Sequence, residues 1–150
     1  MMKAVFTGSF DPYTIGHDNI IQKALPLFSE IHILVCNNNS KTHLFTEAQR
    51  IERIQNFYNS EPRIQVKSWS DLVSKYCEIN DISFIIRGAR NEVDFSYESL
   101  MAEANKKLNP GLETLIFLSD PELRFISSTL VRDLYKNGLP IDEYTKPRRK

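Results

Sequence analysis

The strongest constraint in this sequence is a regular alternation of short apolar runs with longer stretches of helical periodicity. Five runs rich in β-branched or aromatic residues predict buried strands, over residues 3–6, 31–35, 64–67, 82–86 and 115–118. Because a helical stretch follows each strand, the strands are expected to run parallel, with right-handed crossovers that place helices on both faces of the sheet. We therefore predict a Rossmann-like, doubly wound α/β fold with a five-stranded parallel sheet, formed by a single domain over residues 1–150.

Local signals predict where several helices begin and end. Thr46 and Gln49 have the form of a capping box, so a helix is expected to open there. Pro26 is expected to kink or shorten the first helix, because proline removes a hydrogen bond inside a helix. Three further helices are predicted: residues 72–79 with Asp71 as the cap, residues 95–108, and a last one from residues 127–129 to before Gly138.

Composition limits the classes of function. Nineteen Lys and Arg balance nineteen Asp and Glu, so no basic excess favours generic binding to nucleic acid or to a membrane surface. Two cysteines outside any C-x-x-C motif argue against a disulfide framework, and no apolar run approaches the ~20 residues that cross a bilayer. The N-terminus lacks a signal-peptide pattern, and the three histidines lack zinc-ligand spacing. We predict a cytoplasmic protein that holds no metal of its own.

Glycines, hydroxyls and cations follow the predicted strands at their carboxyl ends. The four segments concerned are residues 7–17 with His17, residues 37–41 with Lys41, residues 87–90 with two arginines, and residues 119–129 with three successive hydroxyls. Ligands of open α/β sheets bind outside the carboxyl ends of the strands, where the strand order reverses. The sequence therefore predicts one ligand site at this edge of the sheet.

The chemistry of these loops suits phosphate groups. The helix start near His17 offers unpaired N–H groups, and Arg87 and Arg90 bracket Gly88 as a candidate anion clamp. Neither a Gly-Lys-Ser/Thr loop nor a G-x-G-x-x-G motif occurs, which disfavours P-loop and dinucleotide-binding proteins. Simpler interpretations stay open: His17 as a helix-cap partner, the cations as solvated surface, the hydroxyls as caps, and residues 146–150 as a solvated tail.

Two motifs resemble the signatures of the nucleotidylyltransferase superfamily. Residues 14–17 read T-I-G-H, which resembles its T/H-x-G-H signature, and residues 126–132 read I-S-S-T-L-V-R, which resembles its I-S-S-T-x-x-R signature. The I-R-G-A-R segment at residues 86–90 and the D-F-S-Y-E segment at residues 94–98 resemble bacterial phosphopantetheine adenylyltransferases in particular. The resemblance runs from residue 3 to about residue 134, nearly the whole chain.

This resemblance implies a reaction in which ATP and 4′-phosphopantetheine give dephospho-coenzyme A and pyrophosphate, with Mg²⁺ carried by ATP, in a homohexamer. The positions where the family contacts phosphopantetheine are Ser9, Lys41, Val73 and Arg87. Those where it contacts ATP are Ser9, Phe10, His17, Gly88, Ala89, Arg90, Glu98, Leu123, Arg124, Phe125, Ile126, Ser127, Ser128 and Thr129. The catalytic set implied is His17, as the transition-state stabiliser, with Ser9, Lys41 and Arg90.

Some positions depart from the family pattern, and two other functions stay open. Thr7, Ser9, Ile15 and Leu123 stand where the family usually has Pro, Thr, Asn and often an aromatic residue. The alternatives are a sister nucleotidylyltransferase with another substrate and a noncatalytic nucleotide-binding module. The segments at residues 87–90 and 94–98 speak against the first. The combined presence of hydroxyl, histidine and cations at the predicted catalytic positions speaks against the second, because binding alone does not require the full set.

Overall fold

The fold is seen in a computed structural model that describes residues 2–37 and 42–148. Five strands form one sheet: β1 (Lys3–Gly8), β2 (Glu30–Cys36), β3 (Ile64–Trp69), β4 (Phe84–Ala89) and β5 (Glu113–Leu118). All neighbouring strands pair in parallel, and their order in the sheet is β3-β2-β1-β4-β5. The strand order therefore reverses between β1 and β4, which confirms the predicted doubly wound parallel sheet.

Helices cover both faces of this sheet. They are α1 (Ile15–Ala24), α2 (Glu47–Phe57), α3 (Val73–Asn80), α4 (Glu92–Leu108), α5 (Ser128–Lys136) and α6 (Asp142–Thr145). On β1, Ala4 and Phe6 pack into an apolar cluster with α1, α2 and α5, whereas Val5 packs on the other face with α3. None of the helices in the described ranges has both the length and the apolar character needed to cross a bilayer.

The predicted helix signals gave mixed results. The capping box of α2 is confirmed, because the backbone N–H of Gln49 donates to Thr46 Oγ1 at 3.1 Å and the reciprocal bond is also present. The predicted shortening by Pro26 is confirmed, because α1 ends at Ala24 and a 3-10 turn follows. The prediction that Asp71 caps α3 is wrong. Its carboxylate binds the backbone N–H of its neighbour Leu72 instead, and α3 begins at Val73 without a side-chain cap.

The fourth strand lies further along the chain than its apolar run suggested. Predicted over residues 82–86, it spans Phe84–Ala89, so Arg87 and Gly88 lie inside the strand, paired with β5, rather than after it. Ile82 is buried but precedes the strand, because apolar character reports burial and not pairing. Helix α4 also begins earlier than predicted, because Asn91 Oδ1 accepts a hydrogen bond from the N–H of Asp94 and caps it. The short helix α6 was not predicted.

Helix α1 packs so closely on β4 that only glycine fits at the contact. A Cβ atom placed on Gly88 would lie 2.7 Å from Cγ1 of Ile20, which is shorter than any ordinary carbon–carbon contact. The contact joins the helix that carries His17 to the strand that carries Arg87. Gly88 therefore sets the distance between the two elements that meet at the point where the strand order reverses.

We predict that Gly88→Ala lowers the free energy of unfolding by about 1–3 kcal/mol, because the added methyl group overpacks this contact. Ile20→Ala removes the atom that the methyl group would meet. The double variant should therefore lose less unfolding free energy than the two single variants lose together. Urea denaturation of the four proteins measures both effects. Strictly additive losses would contradict the assigned contact.

Candidate active site

A cavity of about 330 Å³ opens at the carboxyl ends of β1 and β4, and we call it the central cavity. Its walls come from the loop after β1, the first turn of α1, the end of β4 and the start of α5. Several predicted site residues line it together: Ser9, Phe10, His17, Arg87, Gly88, Arg90, Ile126, Ser127 and Ser128. Residues that lie up to 119 positions apart in the chain thus meet around one space.

A second cavity of about 300 Å³, the lateral cavity, lies on the other side of Arg87. Val73 and Glu98 line it, together with Cys36 and Asn105. Thr7 and Arg87 line both cavities, so these side chains separate two adjoining spaces. Glu98, which the family resemblance implied as an ATP contact, therefore lies beside the lateral cavity and not beside the central one.

Other predicted residues line neither cavity. They are Ala89, Leu123, Arg124, Phe125 and Thr129. Ala89 and Leu123 are buried, and the Phe125 ring stands edge-on to Tyr144. Lys41, implied as both a catalytic and a phosphopantetheine contact, lies outside the described residues, so its role stays a prediction.

Arg132 is a cavity residue to which the sequence analysis assigned no role. It lies four positions after Ser128 on α5, and this spacing puts both side chains on one face of the helix. Its guanidinium donates to the backbone carbonyl of Asp11 at 2.9 Å and to Thr129 Oγ1 at 3.1 Å. Its position at the end of the I-S-S-T-L-V-R motif was the signal that could have identified it.

His17 is both a helix-cap partner and a cavity residue. It occupies the third position of α1, where its Nδ1 accepts a hydrogen bond from the backbone N–H of Thr14 at 2.9 Å. The Thr14 hydroxyl in turn accepts from the backbone N–H groups of Gly16 and His17. The helix-cap interpretation and the active-site interpretation of His17 are therefore compatible, since each uses a different ring nitrogen.

This cap sets the tautomer of the His17 ring. A backbone N–H can only donate, so Nδ1 must be unprotonated and the proton of the neutral ring sits on Nε2. Nε2 has no hydrogen-bond partner among residues 2–37 and 42–148. The ring thus offers one N–H donor on the edge opposite the cap, in the residue that lines the central cavity.

Two aromatic rings hold the imidazole in place. The Tyr13 ring stacks on it with centroids 5.0 Å apart and an interplanar angle of 20°, and the Phe10 ring meets it edge-on at 5.0 Å. Tyr13 is fully buried, and its hydroxyl hydrogen-bonds to that of Tyr58. The plane of the His17 ring is therefore set by packing as well as by the cap.

The surroundings of His17 also keep the ring neutral. Burial lowers its pKa, and the positive charges of Arg87 and Arg90 lower it further, to about 3. Protonation would also place a second donor opposite the N–H of Thr14 and break the cap. At neutral pH the ring is therefore a hydrogen-bond donor without a charge.

The two arginines differ in how far protein partners occupy them. Arg87 makes a two-pronged ion pair with the buried carboxylate of Glu98, at 2.7 and 2.8 Å, and also donates to Thr7 Oγ1. Arg90 pairs with Asp94 at 3.3 Å, from Nε to Oδ2, and its two terminal nitrogens make no hydrogen bond within the described part of the chain. Arg90 is thus the cation with open donors for an anion, whereas Glu98 holds Arg87 in a set orientation.

Comparison with known proteins identifies relatives of the chain. The model of the cytidylyltransferase-like family matches residues 5–134. A phosphopantetheine adenylyltransferase of Bacteroides fragilis is 42% identical, over 89% of this chain and 89% of that protein. Proteins of the same name from Bacteroides thetaiotaomicron (40% identical, 96% of this chain, 95% of that protein) and Leptospira biflexa (41%, 90% and 84%) are similar to it too.

Solved structures share the fold. A protein of Vibrio parahaemolyticus, named as a candidate nicotinate-nucleotide adenylyltransferase, superposes with a TM-score of 0.69 at 18% identity, covering 98% of this chain and 88% of that one. A bifunctional NMN adenylyltransferase/ADP ribose pyrophosphatase of Francisella tularensis has a TM-score of 0.69 at 17% identity, covering 96% of this chain and 44% of that one. At these identities the likeness supports the Rossmann-like architecture alone.

We predict that His17 stays neutral, with its proton on Nε2, between pH 5 and pH 8. Because its folded-state pKa lies below the ordinary value of about 6.5, the unfolded chain takes up this proton at a higher pH than the folded chain does. The free energy of unfolding therefore falls as the pH decreases below 6.5. Nitrogen-15 NMR of the histidine rings reports both tautomer and titration. A His17 midpoint near pH 6.5 would contradict the prediction.

Proposed function

The chain belongs to the cytidylyltransferase-like family and, within it, to the phosphopantetheine adenylyltransferases, and we propose that it transfers the adenylyl group of ATP to 4′-phosphopantetheine. A phosphate oxygen of phosphopantetheine forms a bond to the α-phosphorus of ATP. The bond from that phosphorus to the bridging oxygen of the β-phosphate breaks. The products are dephospho-coenzyme A and pyrophosphate, so the enzyme is a nucleotidyltransferase of coenzyme A synthesis.

One observation carries the substrate assignment: two cavities adjoin at Arg87 and Thr7. Two phosphate-bearing molecules that react directly need adjoining spaces and positive charge where they meet. We assign ATP to the central cavity, which contains the helix starts of α1 and α5, and phosphopantetheine to the lateral cavity, which contains Val73. Arg87 then lies at the point of contact between their phosphates.

His17 would stabilise the transition state through Nε2–H. Negative charge shifts over the phosphoryl oxygens during in-line transfer, and a neutral donor in a pre-set orientation gains strength as that charge develops. A general base is not needed, since a phosphate monoester is already largely ionised near neutral pH. Arg90 would neutralise the incoming polyphosphate through its two open nitrogens.

Direct transfer fits the side chains of the lateral cavity better than a covalent intermediate does. Cys36 is a nucleophilic residue beside that cavity. Burial raises the pKa of its thiol, so the reactive thiolate is disfavoured. Catalysis in this proposal consists of positioning and electrostatics.

Mg²⁺ is proposed as a companion of ATP. In the described ranges no three His, Cys, Asp or Glu side chains converge as a metal cage, and Mg²⁺ commonly keeps waters and phosphate oxygens with one or two carboxylates. Asp94 would be such a carboxylate, because it lines the central cavity. Its Oδ2 accepts a hydrogen bond from the backbone N–H of Arg90 and forms the ion pair with Arg90 Nε, whereas Oδ1 has neither contact with Arg90 in the described part of the chain. When bound, the ion would supply positive charge to the departing pyrophosphate.

We also propose a homohexamer, with α4 at an interface between copies. Helix α4 buries only Glu98, and large apolar side chains stand exposed on it: Val93, Phe95, Tyr97, Leu100, Met101 and Leu108. Such a density of exposed apolar residues on one helix is typical of an interaction surface. Light scattering should give six times the chain mass of 17.4 kDa.

The function is tested by incubating the purified protein with Mg²⁺, ATP and phosphopantetheine and measuring pyrophosphate. CTP in place of ATP, and nicotinamide mononucleotide in place of phosphopantetheine, test the sister-enzyme alternative. Pyrophosphate release with ATP and phosphopantetheine, and with neither of the two substituted pairs, supports the proposal. Release with another pair, or binding of ATP without turnover by any pair, contradicts it.

We predict that His17→Asn and His17→Ala both lower kcat by about 10²–10³-fold, the scale for one lost oxyanion-type donor. The Asn side chain has an acceptor near the position of Nδ1, so it can keep the bond to Thr14 N–H but has no donor at the position of Nε2. Stability should therefore fall only in the Ala variant. Full turnover by His17→Asn would show that His17 acts only as a cap.

We predict that Arg87→Ala raises KM for phosphopantetheine by about 10–100-fold, because the proposed charge-assisted hydrogen bond from Arg87 to the phosphate of this substrate is lost. Since the change leaves the buried Glu98 unpaired, the double variant Arg87→Ala/Glu98→Gln removes that charge as well. Arg63→Ala is the matched control, because Arg63 forms a similar ion pair with Glu61 away from both cavities. An unchanged KM in the double variant would contradict the placement of phosphopantetheine beside Arg87.

A further inference from the structure

Arg50, on the inner face of α2, is a buried cation with neutral partners. Its residue surface is 2% exposed, and it lines neither cavity. In the parts of the chain that the structure describes, no carboxylate lies within 4.0 Å of its guanidinium, in contrast to Arg87 and Arg90. A buried charge without a counter-charge is costly unless its hydrogen bonds are made, so the partners of Arg50 need an explanation.

Those partners come from three separate points of the chain. Nη1 donates to the carbonyl of Ser9 at 2.9 Å, directly after β1. Nη2 donates to Asn37 Oδ1 at 3.0 Å, directly after β2, and Nε donates to the carbonyl of Phe45 at 3.2 Å, just before α2. The donors of a guanidinium have set directions in one plane, so this group holds three loop positions in a defined relation.

The contact with Ser9 sets the orientation of one peptide group at the central cavity. The Ser9–Phe10 peptide is trans, and in a trans peptide the carbonyl and the following N–H point in opposite directions. With the Ser9 carbonyl turned towards Arg50, the Phe10 N–H points away from it. That N–H binds no acceptor among residues 2–37 and 42–148, and both residues line the central cavity.

The backbone at Phe10 needs such a support. Phe10 has a φ of 51°, in the left-handed region that non-glycine residues seldom adopt. Its ring is buried against Phe6, Tyr13 and His17, and it packs over Gly8, where a Cβ would lie 2.9 Å from the ring. Packing holds the ring, but the peptide plane before it depends on a partner for the Ser9 carbonyl, and Arg50 is that partner.

We propose that Arg50 is a positioning residue for adenylyl transfer. By holding the Ser9 carbonyl, it directs the Phe10 N–H into the central cavity as a donor to a phosphate oxygen of the nucleotide. It acts through that peptide group and touches neither substrate. The inference rests on the proposed function, since it assumes that a nucleotide phosphate occupies the central cavity.

Arg50→Lys tests this role, because a lysine keeps the positive charge but its single nitrogen cannot hold three acceptors in one plane. We expect kcat to fall by about 10–100-fold, less than the ~10²–10³-fold for a fully lost transition-state donor because the Phe10 N–H is misdirected and not removed, with KM for phosphopantetheine changed by less than about twofold. Arg53→Lys is the matched control. Arg53 lies three residues further along the same helix and stacks over the Phe45 ring at 4.5 Å, and its substitution should leave kcat unchanged.

A second readout separates positioning from support of the fold. In protein labelled with nitrogen-15 phenylalanine, ATP with Mg²⁺ should shift the Phe10 amide resonance strongly downfield in the parent and in Arg53→Lys, but not in Arg50→Lys. If Arg50→Lys does not fold, Asn37→Ala removes one of the three acceptors of Arg50, together with the bonds from Asn37 Nδ2 to Glu47 and Ser68. It should lower kcat by a smaller factor with a reduced Phe10 shift.

The inference is overturned if the folded test variant, Arg50→Lys or its substitute Asn37→Ala, keeps the parent kcat. It is also overturned if kcat falls while the Phe10 resonance still shifts as in the parent. It is supported if kcat and the Phe10 shift are lost together and the control retains both. Failure of the parent itself to release pyrophosphate would instead refute the proposed function. The two failures are therefore distinguishable in one set of measurements.

Discussion

The hydrogen bond from the backbone N–H of Thr14 to Nδ1 of His17 is the contact on which the candidate active site depends. It closes the first turn of α1, and it requires an unprotonated Nδ1, which leaves Nε2 as the donor. Tyr13 and Phe10 then hold the plane of the same ring. Helix capping and the proposed catalysis are therefore not competing uses of His17, because the cap creates the donor that catalysis would use.

The loop after β1 that carries Ser9 and Phe10 is held from several directions. Besides the contact with Arg50, the carboxylate of Asp11 accepts the backbone N–H groups of Leu44 and Phe45. Two residues of α5 also bind this loop. Arg132 donates to the backbone carbonyl of Asp11, and Ser128 donates to the backbone carbonyl of Pro12. Since residues of this loop line the central cavity, this network pre-organises the site before a ligand arrives.

Charge in this protein is balanced overall but arranged locally. Helix α4 supplies the carboxylates of Glu98 and Asp94, which orient Arg87 and Arg90. The same helix exposes large apolar side chains to its surroundings. Contact between copies through α4 would therefore also bear on the helix that positions both arginines, which links the proposed assembly to the proposed chemistry.

Short-range patterns in the sequence predicted much of the fold. The alternation of strands and helices along the chain, the capping box at Thr46 and the shortening of α1 at Pro26 follow from apolar periodicity and from residues within one turn of each other. Boundaries were less accurate: Arg87 lies within β4, and Asp71 does not cap α3, because both depend on pairing and backbone geometry that the residue type does not specify.

The sequence alone determined the α/β alternation, the edge of the sheet where polar loops gather, and the family signatures around His17 and Ser127, because these depend on residues that are close in the chain. Only the tertiary structure decided which cations are occupied. Arg87 pairs with Glu98. Arg50 donates a hydrogen bond to Ser9, 41 positions away in the chain, and supports the loop of the central cavity without lining that cavity. Such pairings depend on strand register and helix packing. The local sequence therefore does not show whether a cation on a helix lies in solvent or beneath an active-site loop.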